Sequence, residues 1–218
     1  MYVPKHFAET RPESLAELLR TVAFGTLVTV TPAGLEANPL PFVYKPDPPP
    51  WGVLQAHLAR ANTQWQTFDP SVEALFIVQG PDAYITPSWY PSKRETGKAV
   101  PTWNYVVVHA YGQLRVSEDP EWLRRHVEEL TDQQERARPE PWRVTDAPAE
   151  YTAAMLKAIV GVELRITRLI GKWKLGQNRS LADRQGMAAG LASEGDEGSR
   201  ALLPYVQDVA RGRGGELP

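Results

Sequence analysis

Three stretches of the chain hold side chains whose types and spacing could do chemistry. The first is HLARAN, residues 57–62. His57, Arg60 and Asn62 gather there, where an apolar run gives way to a polar one. If Asn62 caps a helix, the free N–H groups and positive dipole end suit a phosphate, and Arg60 adds a bidentate clamp. The plain alternative is a routine cap beside a surface arginine. The second stretch is YITPSWYPSKRETGKAVPTWNY, residues 84–105. Its rings (Tyr84, Trp89, Tyr90, Trp103 and Tyr105) could stack a flat ligand, while Lys93, Arg94 and Lys98 gather an anion. Alternatively the rings belong to a core or a partner chain and the charges are solvated. The third is KWKLGQNRS, residues 172–180. Strand alternation puts Lys172 and Lys174 on one face and Trp173 on the other. Gln177, Asn178 and Arg179 follow with donors and acceptors that suit a heteroaromatic ring edge, or make only a surface turn.

Other chemistry is missing. There is no Walker A loop, no G-x-G-x-x-G fingerprint and no G-x-S-x-G elbow. The histidines at 6, 57, 109 and 126 lack zinc-ligand spacing. His109 and Asn104 sit in a strongly β-type run, where a lone histidine reads as a core residue before it reads as an acid or base. No carboxylate pair or triad stands out, and no helix pair resembles a helix-turn-helix with a basic recognition face.

The elements that must carry these stretches are mostly strands. Leu15, Leu18 and Leu19 line one face of a helix over 11–22. FGTLVTVT (24–31) and EANPLPFVY (36–44) read as a strand pair around Pro32-Ala33-Gly34, the second an edge or bulged strand because Pro39 and Pro41 cannot donate to a ladder. Further strands are expected at 51–58, 72–80, 83–86, 103–116, 162–167 and 172–175. A short helix capped by Asn62 follows the third strand. Asp119-Pro120 opens a helix to about Arg136, with Trp122, Val127 and Leu130 as buried candidates. A helix covers roughly 149–159, and Ser180 to Asp183 resembles a capping box opening a helix to about Leu191. About six strands, scattered helices and no βαβ rhythm argue for an antiparallel barrel with helical additions.

Composition sets limits. The 218 residues suffice for one large or two small domains, and the net charge of −2 gives no global attraction to nucleic acid or membrane. With no cysteine there are no disulfides or thiolate sites. No apolar run approaches the length of a membrane span, and MYVPKHFAET has no apolar signal core. The expectation is a soluble, cytoplasmic protein.

Taken together, MYVPKHF, HLARANTQW, YITPSWYPSK-ETGK-VPTWNY and KLGQNR-DR, in that order, resemble the PaiB family of FMN-binding negative transcriptional regulators. The resemblance runs from residue 1 to about 192 and leaves 193–218 as a C-terminal tail, with one short helix around Leu202 to Val209. It implies a mainly β, antiparallel FMN-binding split β-barrel of the pyridoxamine-phosphate-oxidase-like type, and a homodimer with flavin sites at the subunit interface. It assigns the flavin phosphate to His57, Arg60 and Asn62. Asn38, Pro39 and Leu40 would line the isoalloxazine, Thr102, Trp103 and Asn104 would approach it, and Lys174, Gln177 and Asn178 would close the pocket. Gly176 departs from the family's usual serine, which removes a hydroxyl donor and loosens the turn. The leading expectation is a flavoprotein regulator without chemistry of its own. Direct DNA binding has no support from charge or a recognition helix. The alternatives are a flavin-dependent oxidoreductase of the same barrel and, behind it, a haem-binding barrel using His57, His109 or His6.

Overall fold

The structure, a computed structural model, describes residues 1–211. In chain order the strands are β1 (Ala8–Glu9), β2 (Phe24–Thr31), β3 (Gly34–Pro41), β4 (Val43–Lys45), β5 (Val53–Ala59), β6 (Ala74–Ile85), β7 (Thr102–Ser117) and β8 (Ile159–Lys174). The helices are α1 (Pro12–Thr21), α2 (Gln64–Thr67), α3 (Pro91–Thr96), α4 (Pro120–Glu135), α5 (Ala149–Lys157), α6 (Leu181–Glu194) and α7 (Glu197–Ala210). The sheet order is β3-β2-β6-β7-β8-β5-β4, with β1 alongside β8. β2 pairs antiparallel with β3 and β6, β5 with β4 and β8, and β1 with β8.

Two compact units divide these elements. One comprises Met1–Leu15, Gln79–Val108 and the chain from Ile170 on; the other comprises Ala16–Val78 and His109–Leu169. In the second unit β2 alternates as its sequence demands. Gly25, Leu27 and Thr29 face inward, and β3 lies at the sheet edge, where its prolines need no ladder partner on the open side. Asp119 caps α4 by accepting from the Glu121 N–H, with Pro120 in the first turn. In the first unit α6 and α7 pack as a helical pair through Leu191, Leu202, Val206 and Val209.

Several expectations need correction. The runs 72–80 and 83–86 are one strand, β6, which continues through Gly80-Pro81-Asp82. Likewise 162–167 and 172–175 are both parts of β8. The run 36–44 divides instead, because Phe42 leaves the ladder to bury its ring against Phe76 while its N–H reaches the Ala23 carbonyl. The buried residues of α4 are Leu123 and His126; Trp122, Val127 and Leu130 are half-buried, with the Trp122 ring lying over Gly161. The helix after β5 has only four residues; its N-cap position is Thr63, whose side chain makes no capping bond, while Asn62 Oδ1 accepts the Gln64 N–H. Toward the C-terminus the expected short helix at 202–209 is the fourteen-residue α7. The rest of the tail, 212–218, lies outside the described residues.

Candidate functional site

In the first unit the start of β7 and the end of β8 build a face of rings and ammonium groups. Period-two alternation turns Trp103 and Tyr105 outward while Asn104 is buried behind them. On β8 it turns Lys172 and Lys174 outward and buries Trp173, as the sequence suggested. Lys172 Nζ lies 5.3 Å from the Tyr105 ring centre and Lys174 Nζ 5.7 Å. Lys174 donates to Thr102 Oγ1 at 2.6 Å and to the Trp103 carbonyl at 2.7 Å, so the lysine fixes the strand that carries the indole. Burial, then the neighbouring Lys172 charge, lowers the Lys174 pKa, offset partly by Tyr105. Trp103 is 54% exposed and meets Tyr84 edge-on at 6.1 Å.

The remaining residues of this group hold the frame. Asn104 donates to Met187 Sδ and Gln177 bonds the backbone of Trp173 and Leu175; both amides are thus occupied. Asn178 is exposed. Gly176 has φ +80, and a Cβ there would meet Met187 Cε at 2.8 Å. The positive φ is what favours a glycine at this turn. The 84–105 stretch splits in two. Tyr90 is buried beneath the Arg179 guanidinium, and Trp89 lies on α6 where Gly186 and Gly190 leave room for it. Ser92 donates its N–H and hydroxyl to the buried Asp183 carboxylate. Lys93, Arg94 and Lys98 are exposed.

In the second unit the HLARAN residues are already partnered. His57 Nδ1 is 3.1 Å from His126 Nε2. Burial, followed by the His57 and Lys45 charges, pushes His126 down to about 3, and burial lowers His57. Both rings are therefore neutral near pH 7. Arg60 donates to the Glu118 carboxylate and to the carbonyls of Lys157 and Ile159, which leaves two of its five N–H groups uncommitted. Asn62 accepts from the Gln64 N–H. The expected phosphate cradle is thus a neutral histidine pair beside a half-neutralised arginine. Nearby on β3, Asn38 points inward and donates to Gln64 Oε1 at 2.9 Å; Pro39 is exposed and Leu40 buried. Gln64, fully buried, also reaches Thr29 Oγ1 and the Glu36 carbonyl. Gln64, His126 and the Gly186/Gly190 pair were not picked out from sequence. Only the glycines left a signal, their G-x-x-x-G spacing.

The residues fit a flavin. Flat rings stack a flat heterocycle, and Lys172 and Lys174 supply positive charge for an anionic tail on the same outward face. Among the described residues no group of three or more metal-ligating side chains occurs, and no helix is long and apolar enough to cross a membrane.

Residues 1–168 match the family model "Putative FMN-binding domain". The chain is 31% identical to the Protease synthase and sporulation protein PAI 2 of Bacillus subtilis, over 95% of this chain and 97% of that protein. Among solved structures it resembles the flavocytochrome Anf3 from Azotobacter vinelandii, with a TM-score of 0.60 at 14% identity over 80% of this chain and 73% of that one. It also resembles the FAD and heme binding protein from Mycobacterium smegmatis, with a TM-score of 0.56 at 19% identity over 78% and 74%. The fold is the split β-barrel, sheet-dominated and antiparallel with helical additions.

Proposed function

Because this chain belongs to the PaiB family of flavin-binding proteins, we propose that it is a cytoplasmic, homodimeric negative transcriptional regulator that carries FMN. The observation behind the cofactor reading is the outward face of Trp103, Tyr105, Lys172 and Lys174. FMN would supply a redox-active ring there. The chain's own residues stack it, neutralise its phosphate and, through Lys174, keep Trp103 in position. The family resemblance also assigns His57, Arg60, Asn62 and the Asn38–Leu40 segment, which lie in the second unit; there Arg60 keeps two N–H groups uncommitted.

The homodimer is supported by the β2–β3 hairpin. Its outward face pairs Phe24 with Pro41, Thr26 with Pro39, Val28 with Ala37 and Val30 with Leu35. Seven of these eight side chains are apolar, and Leu35 is 79% exposed. A continuous apolar sheet face of this kind suits a second copy of the chain. Charging it with Val30→Glu and Leu35→Glu should convert the dimer to a monomer in light scattering. A wild-type monomer at micromolar concentration would overturn the assignment.

Regulation is read as indirect, through a partner or metabolite, since the chain is slightly acidic. A promoter fragment that binds tightly with steep salt dependence would refute that route. Steady turnover of NAD(P)H by the FMN-loaded protein would move the assignment to a flavin-dependent oxidoreductase.

A further inference from the structure

A cavity of about 550 Å³ opens in the first unit beside Trp103. Its aromatic walls are Tyr84, Trp89 and Trp103, and its carboxylates are Asp82, Glu194 and Asp196. No lysine, arginine or histidine lines it. This is the reverse of the lysine face on the end of β8, and an anion would be repelled here.

The walls are held in place. Trp89 cannot withdraw into α6 or swing freely, because α6 meets it through two glycines. A Cβ at Gly190 would fall 2.1 Å from Trp89 Cδ2, and one at Gly186 would fall 2.1 Å from the Trp89 carbonyl. Opposite it stands the Tyr84–Trp103 edge-on pair. The carboxylates differ in commitment. Asp196 caps α7 through the Ser199 N–H and hydroxyl, so its charge is offset by the helix end. Asp82 accepts one bond from the Gln79 amide at 3.2 Å. Glu194 makes no ion pair or hydrogen bond with the described residues. Two carboxylates therefore remain with spare acceptor capacity beside exposed indole and phenol faces.

We propose that this cavity is a binding site for a small organic ammonium cation with a flat apolar body. The ring faces attract the cation through their quadrupoles and bury its apolar part, while Asp82 and Glu194 supply the counter-charge. The proposal stands on the lining residues and does not require a bound flavin.

The test uses the full chain and benzylammonium as probe, with benzyl alcohol and benzoate as its neutral and anionic counterparts. Binding is read from tryptophan fluorescence and confirmed by calorimetry. Benzylammonium should bind saturably and about tenfold or more tighter than benzyl alcohol, with no binding of benzoate. The double variant Asp82→Asn/Glu194→Gln should remove that preference and leave benzyl alcohol binding unchanged. Equal binding of the cation and the alcohol by wild-type protein, or no saturable binding of the cation, overturns the proposal without recourse to any variant. FMN retention by the same double variant is measured in parallel. Loss of cation preference with FMN retained supports a separate site, whereas loss of both would assign the carboxylates to the flavin site and refute it.

Discussion

The buried histidine pair makes stability depend on pH in a calculable way. His126 is buried in the native protein, with a pKa of about 3 in place of the ordinary 6.5. The native ring is thus neutral at mildly acidic pH, while the unfolded ring takes up a proton below its ordinary value. The unfolded state then binds more protons, so stability is full above that value and falls with pH until the native pKa is reached. Between about pH 7.5 and about pH 5 the unfolded ring gains a proton over roughly 1.5 units, which corresponds to about 2 kcal/mol lost. The lowered His57 acts in the same direction. The perturbation is His126→Phe, which keeps a ring for Trp122 to stack on but cannot titrate. Urea unfolding at both pH values gives the loss for each protein. The variant should lose about 2 kcal/mol less than wild type over that interval. Equal losses within about 0.5 kcal/mol would refute the reasoning, since the linkage requires the difference whatever the variant's absolute stability.

Other outcomes follow from packing. Helix propensity alone says Gly190→Ala should stabilise α6 by up to about 1 kcal/mol. The clash with Trp89 reverses the sign, and the variant should lose about 1–3 kcal/mol in urea melts with a red-shifted tryptophan emission. Gln64→Leu leaves Asn38 Nδ2, Thr29 Oγ1 and the Glu36 carbonyl without their shared partner. It should cost about 2 kcal/mol or more and speed amide exchange along β3, whereas a neutral result would mean that the edge strand does not depend on this amide.

Much of the frame was legible because the signals were local. Asp119-Pro120 caps α4 where expected, and the K-W-K alternation sorts two lysines from a buried tryptophan. The strand merger at Gly80-Pro81-Asp82 was hidden because turn residues there are overridden by pairing within a long sheet. The site was harder to read because its partners are remote in sequence. His57 finds its partner 69 residues away and Gln64 finds Thr29 35 residues away. One chain read linearly cannot show such pairs. The linear reading of HLARAN did not show Glu118 or the carbonyls that bond Arg60. The β2–β3 hairpin did leave a trace, since FGTLVTVT is apolar or β-branched on both faces, which a strand with one face in water does not need.

Binding of FMN to the proposed ring-and-lysine face can be tested directly. Purified protein is mixed with FMN, passed through gel filtration and examined by visible spectroscopy, alongside the variant Lys172→Met/Lys174→Met. A shifted flavin band should travel with wild-type protein and be lost, or weakened at least tenfold in affinity, in the variant. A colourless wild-type protein that leaves FMN fluorescence unquenched, or a variant that retains FMN as well as wild type, would contradict it.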